Sequence, residues 1–464
     1  MKSVFSLRHT GSAQGKILLP GDKSIAHRFL LVSSLSRGTT VIENFPANKD
    51  CLATLAALRK LGAGITRLKN NKISAIKVSG KGLNGLNKPR GDVFVGDSGT
   101  TLRLLLGVLA GQPFRVKLTA GRSLSRRPMR RVTRPLRMMG AYIKTKIKSK
   151  KAKVEEYPPI TIKGGDLKGI TYRIPVASAQ VKSAILLAGL YASGETEITE
   201  STKTRDHTER VLRLAGACVR TRKNKVRIRG IRELILPPRL FVPGDISSAS
   251  FFMVLAAILP DSKIIIKNVS LNPSRLGIVK VLKRMGARIL TTNDQPRLPL
   301  GTRGGHGLTT NDQRLTTKYE PMGDIIVESS KLRGVVIKKK EIPSLIDELP
   351  ILMVAASCAN KITVFEGVSE LRVKETDRIR SMSYNLKQMG VSVRVIRKNG
   401  GEDVVVEGAP ELKGARIRSF NDHRTAMSMI VAGLAAGGKS VIDDVSCIDK
   451  SFPEFLPVLK SIIK

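Results

Sequence analysis

Cationic side chains sit at the starts of several apolar helices in this sequence, where the backbone field is already positive. Leu19–Arg28 reads LPGDKSIAHR. Pro-Gly-Asp stops the preceding run and caps a helix; Lys23 follows in its first turn, and Arg28 one turn on. The pattern recurs with Ser98, Gly99, Thr100 and Arg103, with Ser178, Gln180 and Lys182, and with Asp422, His423 and Arg424. Free N–H groups and the helix dipole make such ends anion sites, so an added Lys or Arg is unfavourable there unless an anion is bound. Snorkelling to solvent accounts for one such helix. Four of them point to a phosphate or carboxylate ligand.

Further basic clusters join these: Arg122–Arg131, Arg205–Arg210 (RDHTER), Lys374–Arg378 (KETDR) and Lys450–Pro453. Glu375 and Arg378, three apart, read as one face of a helix. Asp97 reads as the cap of the helix that Ser98-Gly99-Thr100 begins. No His, Cys and carboxylate set has zinc spacing, and neither a Walker A motif nor a G-x-G-x-x-G after a strand is present.

The elements that must position these residues form a repeat. A capped apolar helix followed by a β-rich run begins at Asp22, Asp97, Ser178, Asp245, Asp347 and Asp422. A second helix, stopped by glycine and followed by a strand, occurs in five copies: LRKLGAGI, LRMMGAYI, LRLAGACV, LKRMGARI and LKQMGVSV. The sixth ends in LPVLKSIIK. Six strand–helix–strand–helix–strands units suit two α/β domains of three units each. The interval from Asp245 to Asp347 is the longest, because LTTNDQ at 290–295 recurs at 308–313 around a Gly-rich stretch. Residues 296–313 therefore read as a surface insertion.

Composition bounds the rest. The net charge of +44 is extreme and suits either anionic partners or a general surface bias toward Lys and Arg. Lys144–Lys153 (KTKIKSKKAK) reads as a loop or hairpin edge. With no Trp and 4% aromatics, the chain is poorly equipped to stack bases, so no nucleic-acid partner is expected. No long apolar run, secretory leader or transit leader is seen, and the four cysteines are scattered, which reads as a cytoplasmic protein with reduced thiols.

The motifs PGDKSIAHR, GDSGTTLR, SRRPMRRV, SAQVKSA, RDHTER, IDELP, RVKETDRI, NDHRTAM and DKSFPEF, in this order, resemble the EPSP synthase family from end to end. The resemblance implies a two-domain inside-out α/β barrel with six β-α-β-α-β-β repeats. One domain would comprise 1–20 plus 242–464 and the other 21–241, with the active site in the cleft between them. The implied reaction moves the enolpyruvyl group of phosphoenolpyruvate to the 5-hydroxyl of shikimate 3-phosphate by addition–elimination, with no metal or cofactor, in a monomer. Carried over motif by motif, Lys23, Gly99, Arg127, Gln180, Arg378, Arg424 and Lys450 would hold phosphoenolpyruvate. Lys23, Ser24, Arg28, Ser178, Gln180, Ser201, Arg205, Asp347 and Lys374 would hold shikimate 3-phosphate. Asp347 is the implied base, Glu375 the implied proton donor, and Lys23 assists.

GDKS, SAQVK and RDHTE also resemble the family's glyphosate-tolerant class, whose fourth signature, N-x-T-R, is here Asn272-Pro273-Ser274-Arg275. The family usually has Asn where this chain has Asp97. A sister family that enolpyruvylates UDP-N-acetylglucosamine normally carries a cysteine in the loop that here reads SLSRRPMRR, where no cysteine lies. An RNA 3′-phosphate cyclase would explain the charge but calls for a nucleophilic histidine and an ATP site.

Overall fold

The computed structural model describes residues 5–68, 74–150, 153–292, 319–398 and 401–463. The expected insertion at 296–313 lies outside them. The described residues group into two compact units, one drawn from Gly21–Val242 and Thr309–Glu320, the other from Met1–Pro20, Pro243–Leu308 and Pro321–Lys464.

The first unit contains helices α1 (Lys23–Leu35), α2 (Lys49–Lys60), α3 (Gly99–Leu109), α4 (Arg130–Met138), α5 (Ala179–Gly189) and α6 (His207–Leu214). The second contains α7 (Ile246–Ile258), α8 (Gly277–Arg284), α9 (Leu349–Ser357), α10 (Arg378–Gln388), α11 (His423–Ala435) and α12 (Phe455–Lys460). In the first unit α1, α3 and α5 are buried on nearly every side and pack on one another; in the second, α7, α9 and α11 do the same. Beyond their polar first turns their sequences are largely apolar around the helix, as a helix without a solvent face requires. Each unit thus has one continuous apolar core of its own.

Each unit carries three sheets around its central helices. Five of the six sheets have four strands joined as one parallel pair followed by antiparallel partners. Thr171–Ile174, α5, Glu195–Glu200, α6, Val219–Arg222 and Lys225–Arg229 give the plain β-α-β-α-β-β order. The sixth sheet has three strands: Arg416–Ile417 pairs parallel with Lys439–Ile442, whose other edge is taken antiparallel by Phe5–Arg8. Phe5–Arg8 therefore supplies the third strand of this sheet. Lys144–Lys150 falls in a strand (Tyr142–Lys150) at the edge of a hairpin with Lys153–Lys163.

The second helices of the repeats end as their glycines dictate. Gly62, Gly140, Gly216, Gly286 and Gly390 all have φ between 85° and 116°, the left-handed range in which a side chain would be strained. Most first-helix caps follow the sequence as well. Asp22 Oδ1 accepts from the N–H groups of Ser24 and Ile25, at 2.7 and 3.0 Å, and Asp422 Oδ1 accepts from those of Arg424 and Thr425, at 2.8 and 3.1 Å.

Two starts differ. Ser98, not Asp97, caps α3 by accepting from Thr101 N–H. α9 begins after Glu348, one residue beyond Asp347, and has no side-chain cap. Glu348 is fully buried, and its carboxylate is taken instead by Ser247 Oγ and Arg275 Nη2. A missing cap costs about 1 kcal/mol, which is offset here because an unpaired buried carboxylate would cost more.

Candidate functional site

The parallel strand pairs explain why residues far apart in sequence meet. In a parallel β-α-β pair the segments leaving both strands emerge at the same edge of the sheet. Phe94 lies beside Thr119, Ile174 beside Glu200, Ile337 beside Phe365, and Ile417 beside Ile442. In the segments that follow these strand ends come Asp97–Gly99 and Gly121–Arg127, Ser178–Gln180 and Ser201–Arg205, Asp347 and Lys374–Arg378, and Asp422–Arg424 and Lys450. Each unit carries part of the candidate set.

In the first unit, Lys23 Nζ lies 3.1 Å from Asp50 Oδ2 in the first turn of α2, so its charge at the start of α1 has a fixed counterion. Arg28 is buried and donates from Nε to Thr208 Oγ1, from Nη1 to Ser24 O and from Nη2 to Ser183 Oγ, at 2.7–2.8 Å. Burial lowers this guanidinium to about 10, with the Glu209 carboxylate opposing, so it stays a cation at neutral pH. Arg205 Nη1 is 3.5 Å from Ser24 Oγ, which places Ser24, Arg28 and Arg205 in one cluster. Ser178 Oγ caps α5. Gln180 is clamped between Arg103, which donates to its Oε1 at 2.6 Å, and Thr100 Oγ1, which accepts from its Nε2 at 2.8 Å. Ser201 is exposed just past its strand.

Asp97 acts on a neighbouring loop rather than on its own helix. Its Oδ1 accepts from Leu124 N–H at 2.8 Å, and a side chain at Gly121 would strike its carboxylate. The loop so held carries Arg127, whose Nη2 donates to Ser123 Oγ and whose Nη1 lies near Gly99. A buried hydrogen-bond chain then ties three helix starts together: His27 Nδ1 to Thr54 Oγ1 at 2.7 Å, Thr54 to Thr101 at 2.6 Å, and Thr101 to Ser98 Oγ at 2.7 Å.

In the second unit, Arg378 gathers carboxylates. It is 1% exposed, with Nη2 2.7 Å from Glu375 Oε2, Nε 3.0 Å from Asp422 Oδ2 and Nη1 3.6 Å from Asp347 Oδ1. Arg424 Nη1 donates to the Asp347 carbonyl at 2.9 Å, and Lys450 Nζ lies 3.7 Å from Glu375 Oε1. Burial holds the Lys374 ammonium below the ordinary lysine range, with the Asp347 carboxylate pulling the other way. The Glu375–Arg378 pair is real but is not one helical face: α10 starts at Arg378 behind the Asp377 cap, and Glu375 lies in the preceding loop.

Sequence reasoning named Arg275 and His207 but missed the carboxylates they pair with. Arg275 is 1% exposed and reaches Glu348 at 3.3 Å and Asp245 at 3.8 Å, so the Asn272–Arg275 signature fastens the starts of α7 and α9. His207 Nδ1 lies 2.8 Å from Glu320 Oε1, both buried. Among the described residues, no group of three His, Cys, Asp or Glu is placed to hold a metal ion, and no helix is long and apolar enough to cross a membrane.

The chain is similar to known proteins over nearly its whole length. Residues 7–459 match the family described as EPSP synthase (3-phosphoshikimate 1-carboxyvinyltransferase). A 3-phosphoshikimate 1-carboxyvinyltransferase of Geotalea daltonii is 44% identical over 451 residues, covering 97% of each chain. One of Bacillus cytotoxicus is 41% identical over 98% of this chain and 100% of its own. Among solved structures, EPSP synthase from Acinetobacter baumannii superposes with a TM-score of 0.81 at 39% identity, covering 99% of this chain and 98% of that one.

Proposed function

The chain belongs to the EPSP synthase (3-phosphoshikimate 1-carboxyvinyltransferase) family, and from that premise we propose how its residues divide the work. It transfers the enolpyruvyl group of phosphoenolpyruvate to the 5-hydroxyl of shikimate 3-phosphate, releasing phosphate, a step of the shikimate pathway.

The reaction sets three demands: anions must be held, a hydroxyl proton removed and a carbon atom protonated. Arg378, Arg424 and Lys450, with Lys23, Gly99, Arg127 and Gln180, hold phosphoenolpyruvate. Lys23, Ser24, Arg28, Ser178, Gln180, Ser201, Arg205, Asp347 and Lys374 hold shikimate 3-phosphate. Asp347 takes the 5-hydroxyl proton as the oxygen attacks C2, and Glu375 gives a proton to the methylene carbon, with Lys23 assisting. In the second half a methyl proton returns to Glu375, the C2–O bond to phosphate breaks, and the departing phosphate takes the proton held on Asp347. The chain acts as a cytoplasmic monomer on these two small substrates.

One observation carries this reading: Arg378 bonds the proposed acid Glu375 and lies 3.6 Å from the proposed base Asp347. A single guanidinium thus orients both carboxylates and offers its charge to a substrate anion. Anions bound at Arg378 and Lys450 offset the cations beside Glu375, which lets that carboxyl hold the proton it must deliver.

The substrate assignment is tested by opposite effects. Lys450→Ala is expected to raise KM for phosphoenolpyruvate by about tenfold or more, the scale of one charge-assisted hydrogen bond, with KM for shikimate 3-phosphate little changed. Arg205→Ala is expected to do the reverse. Equal effects on both substrates would overturn the division.

A further inference from the structure

Ser201 and Arg205 lie on a segment without regular structure, between the strand Glu195–Glu200 and α6. Such a segment holds a ligand well only if something fixes its backbone. Thr204, in its middle, is buried, and all three of its polar groups are taken by one ion pair. Its N–H donates to Glu200 Oε1 at 3.1 Å, its hydroxyl donates to the same oxygen, and its carbonyl accepts from Lys182 Nζ at 3.5 Å. Lys182 Nζ also lies 2.9 Å from Glu200 Oε2 and 2.7 Å from Glu209 Oε1. The three charged side chains are 1–3% exposed.

Lys182 therefore does not face a ligand, as its place at a helix start suggested; it joins α5 to the strand end and to the first turn of α6. Burial pulls its ammonium down, but attraction to Glu209 and Glu200 outweighs this and leaves it raised and charged. Glu209 is attracted in turn to buried Arg28, so two cations balance two carboxylates. Arg28 bonds Ser24 O, and Arg205 reaches Ser24 Oγ, so the network borders the start of α1.

We propose that the Lys182–Glu200–Glu209 cluster, acting through Thr204, positions Ser201 and Arg205 for the anionic substrate they bind. None of the three charged residues touches substrate. The inference rests on the reading that Ser201 and Arg205 contact shikimate 3-phosphate, and it adds the reason they are held in register. The isolated hydroxyl of Ser201 and the long side chain of Arg205 would otherwise lose rotamer and backbone freedom on each binding event.

Steady-state kinetics and calorimetric binding of shikimate 3-phosphate on the full chain test it. Glu200→Gln and Thr204→Val are each expected to raise KM and Kd for shikimate 3-phosphate by about tenfold, as one lost charge-assisted hydrogen bond does, with kcat and KM for phosphoenolpyruvate within about twofold. Thr204→Ser, which keeps all three polar groups, is expected to retain the parent values. If Glu200→Gln does not fold, Thr204→Val decides, because it leaves the ion pair in place. Ser201→Ala and Arg205→Ala are the controls for the underlying reading. If they raise KM for shikimate 3-phosphate while Glu200→Gln and Thr204→Val only lower the melting temperature, the cluster is merely structural and the inference is overturned. If the two controls leave that KM unchanged, the substrate reading itself fails.

Discussion

Asp97 shows what the position of a residue in the sequence leaves hidden. It reads as a helix cap, but Ser98 does the capping and the Asp97 carboxylate holds Leu124 N–H in the loop that carries Arg127. Asparagine keeps an acceptor oxygen at the same place and alanine does not. Asp97→Asn is therefore expected to keep KM for phosphoenolpyruvate at or below the parent value, whereas Asp97→Ala raises it by about tenfold, as loss of a hydrogen bond to a charged group does. Equal values in all three proteins would show that the loop stands without this contact. The helix starts that carry cations were legible because such cations break the dipole rule in plain sight. The pairings Lys23–Asp50, Arg378–Asp422, Arg275–Glu348 and His207–Glu320 were not, because they join positions far apart in the chain. His27 offers a further test. Burial, with Lys23 and Arg28 beside it, holds its imidazole well below the usual histidine range. Below about pH 6.5 the unfolded chain takes up a proton there that the folded one refuses, so stability falls as pH falls, by about 1.4 kcal/mol per unit. The melting temperature of His27→Gln should therefore fall less steeply than that of the parent between pH 6.5 and 5; parallel curves would show that His27 protonates freely in the folded protein.

At the scale of elements, close packing of the central helices sets where the helix starts lie. α3 meets α5 at Gly107, where an added Cβ would come within 2.3 Å of Ala184 O and 2.8 Å of its Cα. These are backbone atoms, so Gly107→Ala is expected to cost about 1–3 kcal/mol, the range for overpacking, and to shift the Arg103–Gln180 contact. A rise in KM for phosphoenolpyruvate together with a lower melting temperature checks it. Gly216→Ala is the contrast. Its Cβ would meet nothing within 4 Å, but φ is 90°, so it should cost about 1–2 kcal/mol through the backbone alone and leave the kinetics unchanged. Helices and their glycine stops were readable because both are local signals. The pairing of Phe5–Arg8 with Lys439–Ile442 was not, since nothing local says which distant strand an edge will accept.

At the scale of the whole molecule, the net charge of +44 and the repeat architecture call for separate explanations. Lys144, Lys146 and Lys148 are exposed on a hairpin edge, and charges beyond about 8 Å are screened at 0.15 M salt. Replacing all three by Gln is expected to leave kcat/KM within about twofold at that salt; a larger fall would show that distant charge steers the substrates. The sixfold repeat was legible from the recurring helices and glycine stops, and it accounts for the six sheets. The central claim is that Glu375 and Asp347, oriented by Arg378, move the protons of enolpyruvyl transfer. It is tested most directly by measuring phosphate release and the enolpyruvyl ether product with each substrate alone and with both, in the parent, Glu375→Gln and Asp347→Asn. Product is expected only with both substrates, and turnover is expected to fall by about 100-fold or more in each variant while Glu375→Gln still binds shikimate 3-phosphate. Phosphate release from phosphoenolpyruvate alone, or normal turnover in Glu375→Gln, would contradict it.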